Sequence, residues 1–224
     1  MSILLSILIP VWNQEELVIK ALDHLPRRDD LEVIVRNDGS TDRTLENLEK
    51  YRKDHPELNL TVDSCSVNHG VAWTKNRLLK AAKGEWIHLH DSDDWVYTDL
   101  YNKMISEWLV RCADADIVCM DLEINSGARC PLNDQTQRAL CAQISRFIRR
   151  SFVEGMTFPE EIRAGDDRYF AEEMLARHPK TVYSGVMAYH YNYPREGSLF
   201  DLQVKGLIWR RSLLQPFPAS IRPG

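Results

Sequence analysis

The 224-residue sequence has no basic excess: 28 Lys and Arg stand against 33 Asp and Glu, a formal net charge of −5. Nucleic-acid binders usually show the opposite balance, so that class recedes. No apolar run reaches the roughly 18 residues of a membrane span. The start, "MSILLSILIPVWNQEE", lacks a basic leading region and a small-residue cleavage site, and reads as a first strand rather than a signal peptide. Among five cysteines (Cys65, Cys112, Cys119, Cys130, Cys141) there is no C-x-x-C pair. Reduced thiols in a cytoplasmic protein are therefore expected, and structural zinc is disfavoured. Internal repeats and low-complexity segments are missing as well. With 44% hydrophobic residues, the chain can bury a sizeable core as one domain, with or without a small appendage.

The first half alternates two periodicities. "ILLSILI" (Ile3–Ile9), "LEVIV" (Leu31–Val35), "LNLTVD" (Leu58–Asp63) and "EWIHLH" read as strands, the first apolar enough to be buried on both faces. Between them lie helical patterns. Val18, Ala21, Leu22 and Leu25 share one face, with Asn13 and Glu16 spaced as a capping box. Leu45 and Leu48 mark a second helix, and "VAWTKNRLLKAAKG" a third that stops at Gly84. Strands alternating with helices predict an α/β fold, a mostly parallel, doubly wound sheet. Such sheets bind ligands beyond the carboxyl ends of their strands, where "PVWNQ", "RNDGSTD" and "HDSDDW" would converge. The second half is less regular. "NSGARCPLNDQTQ" reads as a polar excursion and "CAQISRFIRRSFVEG" as a helix. "AGDDRYFAEEMLARHP" opens another helix at an acidic pair, and "TVYSGVMAYHYNYP" is strand-like.

"HLHDSDDWV" (His88–Val96) places Asp91, Asp93 and Asp94 within four residues of one another. Unpaired carboxylates repel, so something should offset their charge. A solvated acidic turn is the plainest reading and stays open. A calcium loop starting at Asp91 fails, because its sixth position must be Gly and its twelfth Glu, and the sequence has Val96 and Asn102. An Asp-nucleophile phosphatase is disfavoured by Trp95 and by the position at a fourth strand. A divalent cation carrying a diphosphate remains: Mg²⁺ or Mn²⁺ is commonly held by one or two carboxylates plus substrate phosphates. His88 and His90 project to one face of their strand, which favours a core role over zinc ligation.

Six segments, "ILIPVWNQEE", "LEVIVRNDGSTDRT", "NHGVAWTKN", "AAKGEWIHLHDSDDW", "FPEEIRAGDDRYF" and "YHYNYPREGSL", resemble in order those of family-2 glycosyltransferases of the GT-A fold. The resemblance spans about Ile3 to Leu199. It implies a GT-A domain over 1–198, with a nucleotide-sugar-binding half (1–98), an acceptor and catalytic-base half (99–198) and a C-terminal tail (199–224). It further implies a nucleotide-diphosphate-sugar donor, with uridine the base by analogy, and Mn²⁺ or Mg²⁺. Pro10, Val11 and Asn13 would border the base, and Asp38 would bond the base or ribose. Asn68 and Asn76 join the donor set, and Asp91 would lie near the ribose. The metal set is Asp93 with Asp91, completed by His190 as in some relatives. Asp167, second of the "GDD" pair, would be general base. Arg195 and Ser198 match an R-x-x-S bordering diphosphate or acceptor. Three departures stand out: Asn37 and Asp166 replace common acids, and Lys75 stands where Arg is common.

The expected activity is metal-dependent, inverting transfer from a UDP-sugar to a hydroxyl of a glycan or lipid-linked glycan in surface polysaccharide synthesis. A metal-dependent nucleotidyltransferase would usually need a Gly/Lys-rich phosphate loop, and "PVWNQEE" has neither residue. A non-catalytic GT-A binding protein need not keep Asp38, Asp93 and Asp167 together. Arg149 and Arg150 read as a solvated basic face. The tail carries Leu207, Ile208, Leu213 and Leu214 beside Lys205, Arg210 and Arg211, a pattern compatible with peripheral membrane contact or with docking on its own domain.

Overall fold

A computed structural model describes residues 2–131, 143–162 and 165–196. The first seven elements follow the expected alternation. They are β1 (Leu5–Val11), α1 (Leu17–Asp23), β2 (Leu31–Asp38), α2 (Thr44–Asp54), β3 (Leu60–Cys65), α3 (Val71–Ala81) and β4 (Trp86–Leu89). Then come β5 (Trp95–Val96) and α4 (Thr98–Lys103), which runs on as π-helical turns through Met104–Leu109. β6 (Ile117–Ile124), β7 (Arg129–Cys130), β8 (Arg146–Arg149), α5 (Asp166–Ala176) and β9 (Thr181–Tyr191) follow among the described residues.

One sheet holds the nine strands of the described residues in the order β3-β2-β1-β4-β8-β6-β9-β5, with β7 paired to β6. The β3-β2-β1-β4 stretch is parallel. β8 joins antiparallel to both β4 and β6, and β9 runs parallel to β6. Both halves of the chain thus share one sheet. β1 passes through Pro10 without penalty. The Leu8 carbonyl bonds the His90 N–H on the β4 side, so the nitrogen of Pro10 faces the same side, where β4 has already ended.

The strands alternate between two cores. Leu5, Ile7, Ile9, Val33 and Val35 face Val18 and Leu22 of α1 and Leu48 of α2. Leu8, Ile34, Ile87 and Leu89 face Ala72 and Leu78 of α3 and Phe170 and Met174 of α5. Helices therefore cover both faces, the arrangement that nearly continuous apolar strands require.

Two sequence expectations are corrected here. "CAQISRFIRRSFVEG" is not a helix where described: Gln143–Ser145 and Arg150–Val153 are 3₁₀ turns around β8. Phe147 enters one core and Ile148 the other, a period of two that closes the gap between β4 and β6. Asn13 and Glu16 form no capping box, because α1 starts at Leu17 without a side-chain cap. Leu45 is exposed, while Leu48 is buried as expected. The excursion after β6 turns back as β7, and its later part, like the tail 199–224, lies outside the described residues.

Candidate active site

The carboxyl ends of β1, β2 and β3 meet as the alternation predicts. Asn13 adopts a left-handed φ of 51°. Its N–H donates to Ser40 Oγ at 2.9 Å, and its Oδ1 accepts the Thr41 N–H at 2.8 Å. Pro10 and Val11 lead into this junction. Gly39, with φ of 68°, lies so close to the next loop that a Cβ would fall 2.5 Å from the Val67 carbonyl carbon and 2.7 Å from the Asn68 nitrogen. Only glycine fits there. Asp38 is buried, and its two carboxylate oxygens accept the His69 N–H at 3.0 Å and the Gly70 N–H at 2.7 Å. It therefore ties β2 to the N-terminus of α3. Asn68 is exposed beside it.

Asn76 is placed otherwise than expected. It is buried, its amide donates to the Phe158 carbonyl at 2.9 Å, and its Oδ1 accepts the Phe158 N–H at 2.7 Å. Its polar capacity goes to pinning the 158–160 segment, so it is corrected from donor contact to scaffold.

β4 delivers the acidic loop. Carboxylate oxygens of Asp91, Asp93 and Asp94 lie within 4.8 Å of one another. Asp94 is buried. It accepts the Tyr189 hydroxyl at 2.8 Å and the Asn192 N–H at 2.8 Å, which fastens the loop to β9. Asp93 pairs through Oδ2 with Arg195 Nε at 2.8 Å and its terminal nitrogen at 2.6 Å. Burial pushes the Asp91 carboxyl up to about 7, the Asp93 charge adds to this, and Lys75 opposes it. Burial likewise holds Asp94 well above the usual carboxylate range. Carboxylates so crowded favour a cation, and an all-oxygen set of Asp91 and Asp93 suits Mg²⁺ or Mn²⁺.

His190 does not join them. Along β9 side chains alternate. Tyr189 points at Asp94, so His190 points to the opposite face. There its ring stacks on Trp95 with centroids 3.9 Å apart, and Nε2 lies 2.9 Å from Asn125 Oδ1. Its metal-ligand role is therefore corrected. Tyr191, on the Tyr189 side, is the neighbour that senses the cluster: burial and then Asp91, Asp94 and Asp93 push its phenol up. His88 and His90 are core residues, as expected. His88 Nε2 donates to the Ile144 carbonyl at 2.6 Å, and Nδ1 meets the Tyr101 hydroxyl. Ser198 lies outside the described residues.

The acidic pair opens α5 behind Gly165, whose φ of 84° is left-handed. Lys75 Nζ lies 2.9 Å from Asp166 Oδ2 and 2.6 Å from Asp167 Oδ1. Desolvation in the cleft raises the Asp167 pKa, and Lys75 opposes that rise. Lys75, Tyr189, Asn192 and buried Arg146 were not among the expected site residues. For Lys75 there was a signal, its departure from the common Arg. For the others only strand register, which a sequence does not display, brings them in.

A family model for "Glycosyl transferase family 2" matches residues 6–164. The chain is 27% identical over 210 residues to the poly(ribitol-phosphate) beta-N-acetylglucosaminyltransferase TarS of Staphylococcus aureus, covering 86% of this chain and 36% of that protein. It is 28% identical to the poly(ribitol-phosphate) beta-glucosyltransferase of Bacillus spizizenii, covering 86% and 33%. The chain thus spans only about a third of the length of these relatives. In three dimensions it matches S. aureus TarS 1-349 in complex with UDP-GlcNAc with a TM-score of 0.73 and 25% identity, over 88% of this chain and 60% of that one. It also matches a Pyrobaculum calidifontis mannosyltransferase in complex with GDP-Man and Mn²⁺, with a TM-score of 0.66 and 21% identity, over 86% and 58%. These likenesses give the sheet its GT-A assignment.

Proposed function

Since the chain belongs to glycosyl transferase family 2, we propose that it moves a sugar from a UDP-sugar to a hydroxyl of a surface polysaccharide or its lipid-linked precursor, with inversion and divalent-metal assistance. One observation carries the reading. The Asp91/Asp93 carboxylates lie at the carboxyl end of β4, and the Lys75-held acid Asp167, at the start of α5, lies near enough for its charge to act on Asp91. Relatives that act on poly(ribitol-phosphate), and the UDP-GlcNAc complex of one of them, support the donor class.

The chemistry follows from the residues. The junction of Pro10, Val11, Asn13 and Asp38 would seat the base and ribose. Asp93 and Asp91 would hold the cation. When bound there, it supplies neutralisation of the negative charge that gathers on the departing diphosphate. Arg195, which pairs with Asp93, would face the same phosphates. The acceptor hydroxyl is a poor nucleophile, and Asp167 would accept its proton, a contribution of about 10²–10⁴ in rate. With Asp167 on one face of the sugar and the diphosphate leaving from the other, attack would be a single displacement giving an inverted product.

UDP-N-acetylglucosamine and UDP-glucose, incubated with Mn²⁺ and a polyol-phosphate acceptor, test this. Transfer is expected, with the anomeric configuration in the product, read by NMR, opposite to the donor's. Asp167→Asn should slow transfer by about 10²–10⁴. A product with the donor's own configuration would overturn inversion, and an unslowed Asp167→Asn would overturn the base.

A further inference from the structure

Lys75 is a buried ammonium in a position that packing alone does not call for. Its side chain is 6% exposed, between Asp166, also 6% exposed, and Asp167, 40% exposed. An ammonium out of water needs partners, and this one has two carboxylates from a helix 91 and 92 residues further on. The aromatic surroundings fix it. Nζ lies 5.0 Å from the centre of the Phe158 ring. That ring stacks on Phe170 of α5 at 4.1 Å, and the adjacent Asn76 bonds both backbone groups of Phe158. Asp166 is thus the inner partner and Asp167 the one still open to the cleft.

We propose that Lys75 is the positioning residue of the general base: anchored by Asp166, it holds the Asp167 carboxylate in place and favours its charged form. The inference rests on the base assignment above. The groups acting on Asp167 are Lys75 from α3, Asp166 from α5 itself, Arg146 from β8 and Asp91 from the loop after β4. Of the charged ones Lys75 acts most strongly, and its attraction opposes the larger effect of burial. A lysine suits this task because a compact ammonium with three donors can serve two carboxylates that are not coplanar.

A lysine that served Asp166 alone would join α3 to α5 and leave the titration of Asp167 close to where it was. The test is therefore the protonation of Asp167 in the full chain, followed by NMR of carbon-13 labelled aspartate and assigned by the signal lost in Asp167→Asn. In Lys75→Met the Asp167 midpoint should rise by about one to three pH units. In Lys75→Arg it should stay close to native. Because Lys75→Met leaves two carboxylates without their cation, the charge-balanced double variant Lys75→Met with Asp166→Asn is measured too. Its Asp167 midpoint should still lie above native, because Lys75 outweighs Asp166. With Mn²⁺ and UDP-N-acetylglucosamine, the acid limb of turnover should move in parallel. An Asp167 midpoint unchanged in both Met variants would overturn the inference and leave the base assignment standing. Full turnover by Asp167→Asn would overturn the base assignment, and the inference with it.

Discussion

Asp93 and Asp94 are adjacent in sequence and opposite in use. Asp94 spends both carboxylate oxygens on Tyr189 and Asn192, within the protein. Asp93 gives one oxygen to Arg195, a partner that a cation can replace. Arg195 therefore competes with the metal in the free protein. Arg195→Ala should tighten Mn²⁺ binding without nucleotide by roughly two- to five-fold, the equivalent of a partly exposed ion pair. Mn²⁺ electron paramagnetic resonance titration measures this, and weakened binding would contradict it. The sequence singled out Asp93 and Asp167 because each sits in a short motif tied to a strand or helix end. Asn76 and His190 were misplaced for a common reason: a polar residue in a family-like motif says nothing about which way its side chain turns. Asn76 turns to Phe158, and His190 turns to Trp95.

Among elements, the βα alternation was readable because apolar runs bounded by glycine, proline and polar turns differ plainly from helical periodicity. β8 was not. "ISRFIRRSF" has arginines at helical spacing, and a four-residue strand leaves too little alternation to outweigh them. Its identity comes from outside the segment, since Ile87 and Ile117 both pair with Ile148. β9 shows the same limit at the site. The motif "YHY" fixes neither face, and only pairing of Trp95 with His190 and of Val96 with Tyr189 sends the tyrosines to the acids. The loops joining β1, β2 and β3 were foreseen to converge. Their fastening, Asp38 to the His69–Gly70 backbone and Gly39 against Val67, was not visible without coordinates.

At the scale of the whole molecule, one sheet carries the acidic loop, and α5, packed on that sheet, carries the proposed base, so folding assembles the site. His88 lies in that sheet, fully buried. Burial, and then neighbouring His90, push its imidazole down to about 3. In the unfolded chain it titrates near pH 6.5. Between these values the unfolded state holds the extra proton, so His88 stabilises the fold above about pH 6.5 and that contribution is lost as pH falls, by about 1.4 kcal/mol per pH unit. Asp91, pushed up to about 7, acts with the opposite sign over the same range. Comparing native protein with His88→Gln isolates the histidine. Urea unfolding at pH 7 and pH 5 should show a larger loss of stability for native, and equal losses would refute the assignment. The central claim, that the strand-end acids support metal-assisted sugar transfer, is met most directly by turnover of UDP-N-acetylglucosamine as Mn²⁺ is titrated into native protein and Asp93→Ala. Native turnover should rise with Mn²⁺ and disappear with chelator, while Asp93→Ala stays near background. Turnover indifferent to Mn²⁺, or undiminished in Asp93→Ala, would contradict it.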